Sequence, residues 1–325
     1  MVDVRVTNAY DSLFSNKATL SVQAAPAPTP TPAPLVKLPP VKHVFVVVLE
    51  NHSYSEIIGS GAMPYLQSLA DRYALLTNFF GNRHPSVSNY FMLTTGQVIT
   101  KDDNYGATVY EDNIVRHLIA NGKTWREYSE GLPYTGYYGN DTRQYRRHHN
   151  PLSYFSDVRD SPAQQQNLVP FTTLAADMAS GQLPNYGLIV PTNDHNAHNG
   201  TLLAADQWLK ANIAPLINDP QFRKDGLLFI VFDEGRKTDK GHGGGHIVGI
   251  AVGPWVKPAY RSGSLFQHQN ILKTVCDLLG IGTFASPSLA TGTAASVAQC
   301  LIDGAAALSP APSSSPSADL ESQPQ

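Results

Sequence analysis

The sequence predicts an α/β fold in which helices cover both faces of a mainly parallel central sheet. Two continuous apolar runs, at 43–49 and 227–232, have the composition of strands that are buried on both faces. Strand-like and helix-like segments alternate around these runs, which is the pattern of successive strand–helix–strand units. In such folds the ligand site lies beyond the carboxyl ends of the strands. We therefore expect the functional residues in loops that follow strands.

The individual elements are predicted from hydrophobic spacing, taken in chain order. Short runs rich in Val, Ile, Leu and Phe indicate strands, and apolar residues at a period near 3.6 indicate helices. The predicted strands are 43–49, 75–80, 124–128, 186–190, 227–232 and 247–252. The predicted helices are 63–73, 90–95, 109–120, 171–180, 202–213 and 268–279.

The chain divides into four predicted regions. Residues 1–23 alternate apolar and polar positions and are interpreted as two short strands of an immunoglobulin-like remnant or, alternatively, as a leader. Residues 24–40 form a Pro/Ala/Thr linker, because alternate prolines prevent helix formation and sheet pairing. Residues 41–302 carry the α/β pattern. Residues 303–325 form an Ala/Ser/Pro-rich tail that we expect to be disordered.

Composition argues against a nucleic-acid partner and against a membrane-spanning helix. The 325 residues carry 23 Lys and Arg against 26 Asp and Glu, and no extended basic block exists, so nucleic acid is not an expected partner. No apolar run reaches the roughly 20 residues of a membrane-spanning helix.

The linker and tail favour a secreted, periplasmic or cell-surface protein, although no export signal is visible. Cys276 and Cys300 form one disulfide or none, and the oligomeric state is not predicted.

Acidic and amide side chains follow the two buried strands directly. Glu50 and Asn51 come after 43–49, and Asp233 and Glu234 come after 227–232. Carboxylates this close repel one another, so they need a cation or a shared proton. Oxygen ligands suit Ca²⁺, Mg²⁺ or Mn²⁺. The alternative is that each residue caps a turn or a helix.

A serine and several histidines lie in other loops near predicted strand ends. Ser86 follows the strand at 75–80 and is a candidate nucleophile, but local sequence alone favours a helix N-cap. Asp194 and His198 follow the strand at 186–190 and could converge on one ion or phosphate. The six histidines in such loops or in Gly-rich segments are His148, His149, His195, His198, His242 and His246.

Taken together in order, these motifs resemble the bacterial phosphoesterase family, which contains metal-dependent acid phosphatases and non-specific phospholipases C within the alkaline phosphatase superfamily. The resemblance covers about residues 41–281 and so implies an alkaline-phosphatase-like fold and a phosphoesterase catalytic domain at 41–302. The matching segments are Glu50–Tyr54, His84–Ser86, Asn89–Tyr90, His149–Pro151, Pro191–Thr201, Asp233–Gly235 and Gly241–His246.

The resemblance also implies roles for individual residues. The divalent-metal ligands would be Glu50, Asn51, Ser86, Asp233 and Glu234, and Ser86 would also be the nucleophile. Phosphate would face His149, His198 and His246, with His242 as a further candidate, and substrate would contact Asn89 and Asp194. Zn²⁺ joins Ca²⁺, Mg²⁺ and Mn²⁺ as an alternative ion. The spacing of Asp194 and His198 is the one that the wider superfamily uses for a second metal, so the resemblance leaves open whether one or two ions bind. Thr192 and Asn196 depart from the family pattern, and both departures favour one ion.

The implied activity is metal-dependent hydrolysis of phosphate monoesters through a phosphoserine intermediate, of the acid phosphatase type. The substrate would be a phosphate-ester small molecule or a phospholipid headgroup. Histidines that face phosphate would favour an acidic pH optimum. Two alternatives are a phospholipase C type phosphodiesterase and a non-catalytic surface or adhesion module.

Overall fold

The computed structural model describes residues 37–282 and 294–304, together with the backbone of 5–7 and 12–14. Its strands are β1 (Arg5–Thr7), β2 (Ser12–Phe14), β3 (His43–Leu49), β4 (Ala74–Leu76), β5 (Phe79–Phe80), β6 (Trp125–Ser129), β7 (Leu168–Pro170), β8 (Tyr186–Val190), β9 (Gly226–Phe232), β10 (His246–Ile247), β11 (Gly249–Val252) and β12 (Arg261–Ser262).

The α-helices are short to medium in length. They are α1 (Pro64–Arg72), α2 (Val87–Thr95), α3 (Ile114–Ala120), α4 (Ser156–Arg159), α5 (Pro162–Gln165), α6 (Thr173–Ala179), α7 (Leu202–Asn212), α8 (Ala214–Asn218), α9 (Phe222–Asp225) and α10 (His268–Leu279). Single 3-10 turns occur at Tyr54–Glu56, Arg147–His149, Pro151–Tyr154, Gly241–Gly243 and Val297–Cys300.

An eight-stranded sheet forms the centre of the domain, in the order β12-β4-β11-β9-β3-β8-β6-β7. Neighbouring strands are parallel except at the two edges of β11, which pairs antiparallel with both β4 and β9. The mainly parallel α/β fold predicted from the sequence is therefore confirmed.

The two central strands explain where the site lies. Every residue of β3 and β9 is buried, as their continuous apolar sequences predict. The two strands pair in parallel along their full length, from His43 opposite Gly226 to Leu49 opposite Phe232. They therefore end together, and the chain leaves both of them at the same edge of the sheet.

Two predicted strands are divided in the structure. The segment 75–80 breaks at Thr77 and Asn78. The backbone N–H of Thr77 donates a last hydrogen bond to the carbonyl of Ser262 on β12, after which the chain leaves the large sheet. The following strand β5 then pairs with β10. The segment 247–252 breaks at Val248 into β10 and β11. Both divisions come from pairing between distant segments, which hydrophobic spacing does not reveal.

The predicted helix 109–120 begins late. Val109 forms a bridge with Phe155 instead of helical hydrogen bonds. The helix α3 starts after Asn113, whose side chain accepts a hydrogen bond from the backbone of Arg116 at 3.1 Å. This is an ordinary N-cap, and it sets the start of the helix after Asn113, although apolar residues before it had predicted an earlier start. The short strands β7 and β12 were not predicted, because two or three residues carry no readable periodicity.

The chain outside the main domain is described only in part. Within the region 1–23, strand β1 pairs antiparallel with β2. The other residues of that region lie outside the described residues. Most of the predicted tail, 305–325, also lies outside them. Cys276 and Cys300 are buried free thiols. No helix of the described residues is long and apolar enough to cross a membrane.

The buried carboxyl group of Glu127 on β6 makes the stability of the fold depend on pH. Burial raises the pKa of Glu127 to about 8, and its side chain accepts a hydrogen bond from the backbone N–H of Leu152 at 3.3 Å. An unfolded glutamate titrates near 4.3, so the folded state binds the proton more tightly. Its contribution to stability is complete below about pH 4.3 and is lost as the pH rises through about 8.

We expect Glu127→Gln to remove this dependence, because the amide keeps an acceptor and cannot ionise. The free energy of unfolding of the variant relative to the parent should rise by about 2–4 kcal/mol between pH 5 and pH 9. Urea unfolding at both pH values measures this difference, with the exposed Glu111→Gln as the matched control. An equal effect of Glu127→Gln at both pH values would contradict the prediction.

Candidate functional site

The site is built on the turns that follow β3 and β9. The backbone N–H of Asp233 bonds to the carbonyl of Leu49 at 2.9 Å, which holds the two turns together. The backbone N–H of Asn51 lies 3.3 Å from Asp233 Oδ1, and its side-chain amide lies 3.4 Å from Glu234 Oε1. The four predicted ligands at these two strand ends are thus brought together.

Ser86 joins this cluster from the start of α2. Its side chain is buried, and its hydroxyl donates to Glu50 Oε2 at 3.2 Å. It makes no capping hydrogen bond to the helix. The first N–H of α2, on Val87, is instead accepted by Asp103 Oδ1 at 3.2 Å. The N-cap alternative is therefore not what the structure shows for the Ser86 side chain.

Burial of the three carboxyl groups shifts their proton affinities in one direction. Burial, and then the charge of Asp233, raise the pKa of Glu50 well above its ordinary value. Burial and the neighbouring Glu234 do the same to the pKa of Asp233. Burial raises the pKa of Glu234 to about 8, and the charge of Asp103 contributes. The cluster thus resists carrying three negative charges without a compensating cation.

The donor set fits a hard divalent ion in its chemistry. Asp233 Oδ2 is buried and has no hydrogen-bond partner in the described residues, so it has a lone pair available for a cation. In the same residues, no three or more His, Cys, Asp or Glu side chains are arranged so that they could hold an ion by themselves. An ion bound by this cluster would therefore need the Ser86 hydroxyl and the Asn51 amide as ligands besides the carboxylates.

Two ring side chains hold the other oxygen of Glu50. The hydroxyl of Tyr90 donates to Glu50 Oε1 at 2.6 Å, and His149 Nε2 lies 3.1 Å from the same atom. The rings of Tyr90 and His149 stack with centroids 5.1 Å apart. Glu50 is thereby fixed with Oε1 towards these rings and Oε2 towards Ser86.

His149 thus lies against the acidic cluster, and its contact with a phosphate group stays a prediction. Its side chain is buried and contacts Glu50. Burial, followed by the charges of His148 and His198, lowers the pKa of His149 well below its ordinary value.

The other predicted histidines are dispersed around the cluster. His198 is exposed and lines a cleft together with Asn51. His246 stacks between Tyr54 and Phe80, at centroid distances of 4.4 and 4.9 Å, and its Nε2 lies 3.0 Å from the carbonyl of Thr77. These contacts pack the His246 ring between two aromatic side chains.

His242 and Asp194 lie at the surface. His242 is exposed and contacts the ring of Phe80. In the part of the chain that the structure describes, neither His242 nor His246 has a hydrogen bond or ion pair with Ser86 or with the three carboxylates. Asp194 is exposed, in the same loop as His198. The His195 ring nitrogen Nδ1 bonds to Glu130, 2.8 Å from its Oε1, so it belongs to a separate structural contact.

Asn89, predicted to contact substrate, has its amide engaged within the protein. Its oxygen accepts the backbone N–H of Asn82 at 2.8 Å and of Arg83 at 3.2 Å. Its nitrogen donates to the carbonyl of Arg83 at 2.7 Å and to Glu234 Oε2 at 3.3 Å. Asn89 therefore fixes the loop before Ser86 and orients Glu234.

The residues that depart from the family pattern also have structural partners. Thr192 donates to Glu130 through both its backbone N–H, at 2.9 Å, and its hydroxyl, at 3.1 Å. Asn196 is buried, and its side-chain oxygen accepts the backbone N–H of His198 at 2.9 Å. Asn196 thus shapes the turn that presents His198.

The glycine-rich loop at 241–245 packs against the backbone of the protein. Gly244 donates to the carbonyl of Gly81 at 3.1 Å, and Gly81 donates to the carbonyl of Gly245 at 2.9 Å. A Cβ atom on Gly244 would lie 2.5 Å from the carbonyl carbon of Gly81. Glycine is required here because two backbone segments touch.

Four residues near the acidic cluster were not assigned a role from the sequence. Tyr90 contacts Glu50, and Asp103 accepts the first N–H of α2. His84 Nδ1 lies 3.1 Å from Glu234 Oε1, and His268 Nε2 lies 2.6 Å from the carbonyl of Asp233. The spacing of Ser86 and Tyr90, four residues apart at the start of a helix, is the signal that could have identified Tyr90.

We expect Tyr90→Phe to weaken divalent-cation binding by about 10- to 100-fold, because Glu50 would lose the hydroxyl that orients it. Titration of Mn²⁺, followed by calorimetry and by the shift in melting temperature, measures this loss. Tyr186→Phe is the matched control, since the buried hydroxyl of Tyr186 has no hydrogen-bond partner in the described residues. Equal Mn²⁺ affinity in the parent and Tyr90→Phe would contradict the prediction.

Known structures share this fold at low sequence identity. A putative sulfatase from Bacteroides thetaiotaomicron superposes with a TM-score of 0.57 and 13% identity, covering 80% of this chain and 74% of that one. A protein in the alkaline phosphatase superfamily from Vibrio parahaemolyticus gives 0.52 and 12%, covering 75% and 68%. The fold is accordingly that of the alkaline phosphatase superfamily.

Curated relatives have higher sequence identity. A phosphatidylinositol-3-phosphatase of Mycobacterium tuberculosis is 29% identical over 249 residues, which is 75% of this chain and 79% of that protein. A probable acid phosphatase of Kluyveromyces lactis is 32% identical over 202 residues, 59% of this chain and 47% of that protein. An acid phosphatase of Aspergillus fumigatus is 33% identical over 199 residues, 58% and 44%.

The chain thus spans less than half the length of the two fungal acid phosphatases. A family model described as the phosphoesterase family matches residues 60–282, which include Ser86, Asp233 and Glu234. The fold, the strand-end cluster and this match agree, and the chain belongs to the phosphoesterase family.

Proposed function

We propose that this protein hydrolyses phosphate monoesters by way of a phosphoserine at Ser86, with the help of a divalent cation. The observation that carries the proposal is the convergence of the Ser86 hydroxyl with three buried carboxylates at the ends of β3 and β9. The phosphatase names of the relatives support the reaction class. The composition of the linker supports a second, separate proposal, that the protein is exported.

The proposed reaction has two steps at the serine. Ser86 Oγ attacks phosphorus, the bond to the leaving-group oxygen breaks, and the hydroxyl proton passes towards Glu50 Oε2, its hydrogen-bond acceptor at 3.2 Å. Water then attacks the phosphoserine, releasing inorganic phosphate and restoring Ser86. The surrounding donors act by fixing groups in place before reaction, which is the main contribution of enzymes to phosphoryl transfer.

The residues proposed to hold the cation are Glu50, Asn51, Ser86, Asp233 and Glu234. A bound divalent ion would neutralise the carboxylates and the developing charge on the phosphoryl oxygens. Their oxygen ligands favour Ca²⁺, Mg²⁺ or Mn²⁺ over Zn²⁺. Tyr90 and His149 would orient Glu50, and Asn89 would orient Glu234.

We expect the metal-stripped protein to be inactive on p-nitrophenyl phosphate and to regain activity when one of these ions is added back. Ser86→Ala should lower the turnover number more than about 1000-fold, because no nucleophile remains. Rapid acid quench with a ³²P-labelled substrate should trap label on the parent protein and none on Ser86→Ala. Exposed Ser68→Ala, on α1, is the matched control.

The same experiment separates the alternatives. Preference for p-nitrophenylphosphorylcholine over the monoester would indicate a phospholipase C type phosphodiesterase. Retained hydrolysis in Ser86→Ala, or full activity without any divalent ion, would contradict the mechanism. Hydrolysis of neither ester under any ion would favour the non-catalytic module.

A further inference from the structure

An open cleft of about 570 Å³ lies beside the acidic cluster. Its walls come from the loops that follow three neighbouring strands, β9, β3 and β8. Asn51 and His52 form one side, His198 the second, and Arg236, Lys237 and Thr238 the third. The cleft therefore lies over the end of β3, at the end of the sheet where the acidic cluster lies.

The cleft is lined by basic side chains and by no carboxylate. Arg236 forms an ion pair with Glu56, which lies outside the lining, so its charge is partly compensated. Lys237 is exposed and has no ion-pair partner among the described residues. An anion in this cleft would thus meet the uncompensated charge of Lys237.

The cleft and the proposed reaction centre share one residue, Asn51. This residue lines the cleft and also contacts Asp233 and Glu234, at 3.3 and 3.4 Å. A molecule that places its reacting phosphate at Ser86 could therefore extend its remaining part into the cleft. That remaining part is the leaving group of the reaction.

We propose that the cleft binds the leaving group and selects phosphomonoesters whose leaving group carries a second anionic group, with Lys237 as a specificity-determining residue. This inference rests on the proposed phosphomonoesterase function. The second anion would interact with Lys237 and His198, while the transferred phosphoryl group remains at Ser86. A substrate without it would fill the same cleft and leave the lysine solvated.

A matched pair of substrates tests the proposal. Both 3-phosphoglycerate and glycerol 3-phosphate contain one phosphomonoester, and they differ by a carboxylate in place of a hydroxymethyl group. The measurement is the kcat/KM value for 3-phosphoglycerate divided by that for glycerol 3-phosphate, both from release of inorganic phosphate. Hydrolysis of p-nitrophenyl phosphate is a separate check of activity. We expect the ratio to fall about three- to fivefold in Lys237→Gln, the size typical of one exposed charge interaction.

Controls separate this effect from a general change in charge. Lys237→Arg should keep the ratio of the parent, and Lys210→Gln, on the exposed face of α7, should leave it unchanged. The difference between the parent and Lys237→Gln should shrink in 0.5 M NaCl, because salt screens exposed charges.

The outcomes also distinguish this inference from the proposed function. Hydrolysis of p-nitrophenyl phosphate with an unaltered ratio in Lys237→Gln would overturn the anion subsite and leave the phosphatase proposal intact. A ratio lowered equally by Lys210→Gln would overturn it as well. Lack of hydrolysis of all three esters would overturn both.

Discussion

The parallel pairing of β3 and β9 is the constraint on which the rest of the site depends. The two strands match residue for residue and end together, so the next side chains, Glu50 and Asp233, emerge side by side. Because both strands are buried on both faces, the carboxylates emerge where water is scarce. Burying charged groups in this way is costly unless partners compensate for it. The neighbouring loops supply those partners.

Helix α2 provides much of this compensation. Ser86, Asn89 and Tyr90 are spaced three and four residues apart, so they lie on one face at the start of the helix. Ser86 and Tyr90 contact opposite oxygens of Glu50, and Asn89 contacts Glu234. The positive end of the helix dipole also faces this region, which favours nearby negative charge. One helical turn thus holds two of the three carboxylates.

Much of the fold and part of the site could be predicted from the sequence, because both depend on local signals. The apolar runs of β3 and β9 fix their burial, and polar residues directly after them must emerge at the sheet edge. The division of 75–80 and the antiparallel direction of β11 depend on partners that are distant in sequence. The same limit applies to Tyr90 and Asp103, whose roles follow from contacts made in three dimensions.

Histidines illustrate this limit most clearly, because their chemistry is set by their surroundings more than by their place in a motif. His149 is buried against Tyr90 and Glu50, where a charged ring would be poorly solvated. His246 is stacked between two aromatic rings, and its ring nitrogen bonds to a backbone carbonyl. His198 is exposed in a cleft with basic neighbours. Three histidines that appear equivalent in the sequence therefore have an orienting, a packing and a solvent-facing position. It follows that Ser86 and the buried carboxylates, of which Glu50 accepts the Ser86 hydroxyl, constrain the chemistry of this site more tightly than its histidine content does.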